Sequence, residues 1–181
     1  MGRLRDFFFR VSSGKSIAVT AALLAAVAAV NFSLYFALFL PETGGTAYME
    51  LNFGYLPSDL FAYAEAYGDT GRAMYIAMSC TLDLLTPLLA SALLIQAVTL
   101  LSKKSGARRC PKAGFALGVC CCLSDWAENV CMIIILASYP ARPAAAAALA
   151  WLFTLLKFLF MLADIAVAAV LCVSLARKRR R

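Results

Sequence analysis

Histidine is absent from this chain, and charged residues make up only 15% of its 181 positions. The first absence removes the usual nitrogen ligand of a zinc site, and the second removes the polar surface that a soluble domain of this size needs. Also missing is any polar stretch long enough to fold as a separate soluble domain. Apolar residues fill the chain instead: they make up 63% of it, with a mean hydropathy of +0.81. Water is not its main solvent.

Four runs exceed the roughly 20 apolar residues that a bilayer crossing needs. They cover residues 16–40, 71–101, 113–138 and 144–176. They predict an all-α, polytopic membrane protein with four transmembrane helices in a single membrane domain. Between them lie an outer loop at 41–70, an inner loop at 102–112, and a tight turn at 139–143, with a tail at 177–181. Fourteen of the 17 basic residues fall in three places: before residue 16, in the inner loop, and in the tail. The positive-inside rule puts all three on the cytoplasmic side, so both termini are inside. The outer loop agrees by contrast, carrying Glu42, Glu50, Asp59, Glu65 and Asp69 beside a single cation, Arg72. The expected location is the bacterial inner membrane or an equivalent eukaryotic membrane. The basic runs either set topology alone or also attract anionic lipids at the inner face. Without a folded basic surface they do not point to nucleic acid.

None of the seven cysteines falls in an outer loop, where an oxidising compartment would act. Cys80, Cys120, Cys121, Cys122, Cys131 and Cys172 lie inside spans and read as small packing residues. Cys110, between Arg109 and Pro111 in the inner loop, is a candidate for palmitoylation. Three consecutive cysteines do not share a helix face, so no metal site and no cofactor is expected.

Phe7-Phe8-Phe9, set between arginines, reads as an interfacial anchor ahead of the first span. Asp6 stands where the myristoylation pattern needs Ser or Thr, and the first apolar run suits a span better than a cleaved signal peptide. In the outer loop, Pro57-Ser58-Asp59 looks like the start of a short interfacial helix running to about Tyr67 and closed by Gly68. All seven tyrosines fall in the outer half or outer loop, which suits a loop lying at the headgroup layer. A lid over an opening is the functional alternative.

Each span carries polar side chains. The first has Asn31, with Tyr35 one turn further out. The second has Asp83 four residues before Pro87, whose missing amide leaves the Asp83 carbonyl without its helical partner. Ser79 and Thr86 lie on the same side as possible supports for that carbonyl, and a mere packing kink is the plainer reading. At about 100° per residue, the third span puts Gly114, Gly118, Cys121, Cys122, Asp125, Glu128, Asn129 and Met132 on one side. Leu123, Val130 and Ile134 lie opposite, so the acids are expected to face protein, with Gly114 and Gly118 as a close-packing strip. The fourth span aligns Thr154, Lys157 and Asp164 on one face.

Counting about 1.5 Å of rise per residue from the outer ends puts Asn31, Asp83 and Glu128 roughly 15–18 Å deep, with Asp125 and Lys157 at roughly 21 Å. Four spans thus contribute to one layer, with Asp164 nearer the inner boundary. If every group were ionised, Asp83, Asp125, Glu128 and Asp164 against Lys157 would leave a charge of −3. An uncompensated charge at this depth costs several kcal/mol. Lys157 is therefore expected to pair with Asp125 or Glu128, leaving Asp83 to hold a proton or an ion.

Several segments together resemble one family. They are Gly68, Gly71-Arg72, Leu82-Asp83-Leu84-Leu85 with Pro87-Leu88-Leu89, Asp125 with Glu128-Asn129, Tyr139-Pro140, and Phe153-Thr154 with Lys157. The chain is similar, over about residues 68–165, to an uncharacterised family of small four-span membrane proteins common in bacteria. The resemblance implies the topology and the importance of these polar positions, and no activity. The cysteine triplet and the arginine tail stand outside its pattern.

Three functions fit the residues. The first is a carrier or channel-like protein moving a proton, cation or small solute through the Asp83, Asp125, Glu128, Asn129, Lys157 and Asn31 cluster. The second is an accessory or scaffold subunit, in a homo-oligomer or larger membrane complex, whose polar groups pin helices together. The third is a lipid-modifying enzyme using the same acids with Lys157 for acid–base work. In this third case the lipid bilayer is substrate as well as solvent.

Overall fold

The computed structural model describes residues 2–51, 54–107 and 110–179. Arg108 and Arg109 of the inner loop, and Arg180 and Arg181 of the tail, lie outside them. The fold is all-helical, 86% helix, with no strand among the described residues. Four helical stretches are long and apolar enough to cross a membrane: Gly14–Glu42, Gly68–Ser105, Cys110–Ala137 and Ala144–Lys178.

Helix α1 (Gly2–Val11) ends at Ser12, whose hydroxyl turns back to the Phe8 carbonyl at 2.6 Å. Ser13 and Ser16 then exchange amide-to-hydroxyl bonds of 2.9 and 3.1 Å, satisfying amides that open helix α2 (Gly14–Leu34). The same stretch continues through a π-helical turn at Tyr35–Phe39, where the Leu40 amide bonds back five residues to Tyr35, into α3 (Leu40–Glu42). That wide turn stacks Tyr35 on Phe39, ring centroids 6.0 Å apart. Gly44 and Gly45 then adopt positive φ of 60° and 88°, reversing the chain at little steric cost.

Helix α4 (Asp59–Ala66) lies in the loop between the first two spans, and Gly68, at φ 64°, turns the chain from it into α5 (Gly68–Ser79). Sequence reading treats the second span as one helix kinked at Pro87, but the structure interrupts it earlier, at Cys80–Thr81. The cause is local. The Thr81 hydroxyl takes the Ala77 carbonyl at 2.7 Å, and the Thr81 amide turns to Met78 three residues back. Helix α6 (Leu82–Ser105) then carries Pro87 inside it, followed by α7 (Cys110–Ala137) and α8 (Ala144–Arg179).

The chain forms two compact units. The first comprises Met1–Ala25, Pro87–Leu123 and Leu156–Arg181. In it α6 and α7 approach closely: a Cβ on Gly114 would sit 2.5 Å from Val98 Cγ1, and one on Gly118 2.5 Å from Ile95 Cγ1. Gln96 bonds Thr20 at 3.0 Å within this unit. Lys103 donates to the Ser12 carbonyl at 3.1 Å and lies over the Phe9 ring.

The second unit comprises Ala26–Thr86 and Ser124–Leu155. Its core is aromatic: Tyr35, Phe39, Tyr67 and Tyr75 are each at most 5% exposed and pack with Met49, Leu60, Met132 and Ile135. Thus several of the tyrosines pack onto one another, with Phe39 and Tyr67 edge to face at 5.0 Å. Arg72 fixes α4 to α5, donating to the Ala64 carbonyl at 2.8 Å, pairing with Asp69, and lying 4.0 Å over the Tyr139 ring.

Candidate functional site

Within the second unit, Asn31, Asn129 and Trp126 bring side-chain donors to Asp83 and Leu84, in the first turn of α6. The Asn31 amide, from α2, donates to Asp83 Oδ1 at 2.7 Å. The Asn129 amide, from α7, approaches the Asp83 main-chain carbonyl at 3.5 Å, the acceptor that Pro87 deprives of a helical amide. Trp126, one turn earlier on α7, donates from its indole nitrogen to the next carbonyl, Leu84, at 3.1 Å. The residues expected to support Asp83 behave otherwise. Thr86 donates to the Leu82 carbonyl at 3.1 Å, and the buried Ser79 hydroxyl has no hydrogen-bond partner among the described residues.

Asp83 and Asn31 open onto a cavity of about 180 Å³, shared with Glu50, Tyr35, Tyr48 and Thr86. Glu50 is held by the Tyr75 hydroxyl, and Tyr48 donates to Met78 Sδ at 2.7 Å. Two carboxyls thus line one cavity, and none of its described lining residues is basic. Burial, and then the nearby carboxyls of Asp83 and Glu50, push the Tyr48 hydroxyl above the ordinary phenol value. Tyr48 therefore stays a neutral ring wall at physiological pH. The Asn31 carbonyl oxygen is buried and has no hydrogen-bond partner among the described residues.

Glu128 belongs to a different set. It is fully buried, and its Oε1 accepts the Thr154 hydroxyl at 2.7 Å, which in turn meets the Tyr55 hydroxyl at 2.5 Å. Asp125 is half-buried on the same helix and does not line the cavity. Lys157 and Asp164 belong to the first unit. The Lys157 ammonium lies 5.7 Å from the Phe158 ring centroid, and its carbonyl accepts the Cys121 thiol at 3.5 Å. Asp164 is fully buried, with neither carboxyl oxygen hydrogen-bonded among the described residues. Cys110 opens α7, half-buried.

Sequence reasoning missed Glu50 and Tyr48 as cavity residues. They lie in the outer loop, where no helical period relates them to Asn31 or Asp83, and Glu50 reads there as one more outer acid. Tyr35 carried a signal, standing one turn beyond Asn31. Among the described residues, no group of three or more Cys, Asp or Glu side chains is placed to hold a metal ion. Comparison with protein-family models, curated proteins and solved structures finds no match, so the resemblance to the four-span bacterial family rests on its motif residues alone.

Proposed function

We propose that this chain is an integral membrane protein, four spans with both termini on the cytoplasmic side, that binds a proton, cation or small solute at Asp83 and carries it across the bilayer. The observation that carries this reading is the Asn31–Asp83 bond at the wall of a cavity that also holds Glu50. A carboxyl inside a span, as Asp83 is, marks a functional site by default, and here it shares the cavity with Glu50 from the loop between the first two spans. The orientation is supported by the basic residues that flank the spans on one side. The same residues favour anionic lipids at the inner face.

The test is flux. Purified protein in proteoliposomes, with a lumenal pH dye and imposed gradients of protons, sodium or potassium, should show a flux that Asp83→Asn abolishes while helicity and elution stay unchanged. A mutant flux equal to wild type removes the proposal.

A scaffold subunit, within a homo-oligomer or larger membrane complex, is the second reading. The Tyr55–Thr154–Glu128 chain favours it, because it ties the loop between the first two spans, α8 and α7 together through hydrogen bonds. On this reading Glu128→Gln lowers thermal stability or strips a partner chain from the gently purified protein. A mutant as stable and as fully assembled as wild type counts against it.

A further inference from the structure

The walls of the Asp83 cavity narrow its ligand further than its charge does. We propose that it binds a protonated primary amine carrying a short apolar body, with Asp83 as counter-ion, the Asn31 carbonyl as second acceptor, and the rings of Tyr35 and Tyr48 as walls. This rests on reading Asp83 as a cation site.

Four observations carry it. Asp83 and Glu50 both line the cavity and no described lining residue is basic, so an anion is disfavoured. The rings of Tyr35 and Tyr48 stand 4.6 Å apart at 51°, an aromatic corner in the cavity lining of the kind that suits a cation with an organic body. A bare metal ion wants about six oxygen ligands, which an aromatic corner does not supply. Third, the Asn31 amide nitrogen is committed to Asp83 while its buried carbonyl oxygen has no hydrogen-bond partner among the described residues. A ligand N–H would satisfy that acceptor, which a quaternary ammonium cannot do. Fourth, a cavity of about 180 Å³ suits a compact body, since a 150 Å³ apolar cavity holds benzene.

The mouth fits the same ligand. Phe32 lines the cavity yet is 55% exposed, within an apolar stretch long enough to cross a membrane. An amphiphilic amine dissolved in the bilayer can therefore enter from the side. The ammonium could belong to a free amine or to the ethanolamine headgroup of a lipid, which share this chemistry.

Radiolabelled phenethylamine is the probe, titrated onto the full chain in nanodiscs of phosphatidylglycerol. Saturable binding is expected, weakened at least tenfold by Asp83→Asn. Tyr48→Leu should weaken it several-fold, and clearly more than Tyr48→Phe, which keeps the ring. Phenethyl alcohol, uncharged, and the N-trimethylated amine, lacking N–H donors, should each compete at least tenfold less well, and Asn31→Leu should erase the preference over the trimethylated form. Repeating the titration with phosphatidylethanolamine in the disc assigns the source: competition points to the headgroup, none to a free amine. Binding that is not saturable, or that the alcohol matches, overturns the proposal. If Asp83→Asn fails to fold, the Tyr48 pair and the two analogues decide on their own. If amine binding is absent while Asp83-dependent proton or metal-cation flux persists, only this inference falls. If both are absent, the transport reading falls with it.

Discussion

The indole nitrogen of Trp126 donates to the carbonyl of Leu84 across 3.1 Å, three residues before Pro87. Together with the Asn129 amide near the Asp83 carbonyl, it brings two hydrogen-bond donors from α7 to the first turn of α6. The proline therefore leaves the Asp83 carbonyl without its helical amide, and α7 brings a donor to it and another to its neighbour Leu84.

That relationship predicts a coupling. Pro87→Ala returns an amide to the helix, so the Asp83 carbonyl no longer depends on Asn129. In wild type, Asn129→Leu should cost about 1 kcal/mol of stability, and in the Pro87→Ala background distinctly less. A double-mutant cycle on thermal unfolding in detergent measures it. Equal costs in both backgrounds would show that the Asn129 contact does not serve the proline.

Four long apolar helices were legible in the sequence because span length and hydropathy are properties of each segment alone. So was the buried strip on α7: Gly114, Gly118, Cys122, Glu128, Asn129 and Met132 are buried, while Leu123, Val130 and Ile134 are exposed. Helical period decides that pattern without any partner. The interruption at Cys80–Thr81 was not legible, since neither proline nor glycine marks it in the sequence. Nor was the aromatic core, because a tyrosine suited to the headgroup layer by composition can equally pack on another tyrosine at that level. Asn31 and Asp83 were placed at similar depth by counting residues, but which side chain meets which depends on helix rotation, and counting does not give that.

The α6–α7 contact makes a sharper test of packing. A methyl on Gly118 would lie 2.5 Å from Ile95 Cγ1 and 3.3 Å from the Ser91 carbonyl, so something must move. Gly118→Ala should destabilise the protein by about 1–3 kcal/mol. Ile95→Ala alone leaves a void, yet the double mutant should be more stable than the sum of the two costs implies, because the new methyl occupies part of that void. Additive costs would mean that the helices do not meet at this pair.

High pH should find the outer aromatic core. Burial pushes the Tyr67 hydroxyl above the ordinary phenol value, with the bond from the Met49 amide only partly opposing. Its folded pKa exceeds the unfolded value of about 10, so the contribution is complete below that pH. Above it the unfolded chain loses the proton first, binds fewer protons than the folded one, and stability falls as pH rises. Melting temperatures measured from about pH 8 to 12 should decline beyond pH 10. Tyr67→Phe should begin lower, having lost its bond to the Ala47 carbonyl, and decline less steeply. Parallel curves for the two proteins would refute the assignment.

Asp164 offers the opposite case, a carboxyl whose removal should do no harm. It is fully buried, and neither of its oxygens has a hydrogen-bond partner among the described residues. Ionised there it would bear the cost of an unpaired buried charge, and protonated it would still lack an acceptor for its hydrogen. An amide of the same shape avoids the first penalty and adds little to the second. Asp164→Asn is therefore expected to leave the melting temperature unchanged or to raise it by a few degrees, the shift that about 1 kcal/mol produces in a protein of this size. A fall of several degrees would show instead that the carboxyl is held by a bound proton or cation, and would move Asp164 from a packing residue to a working one.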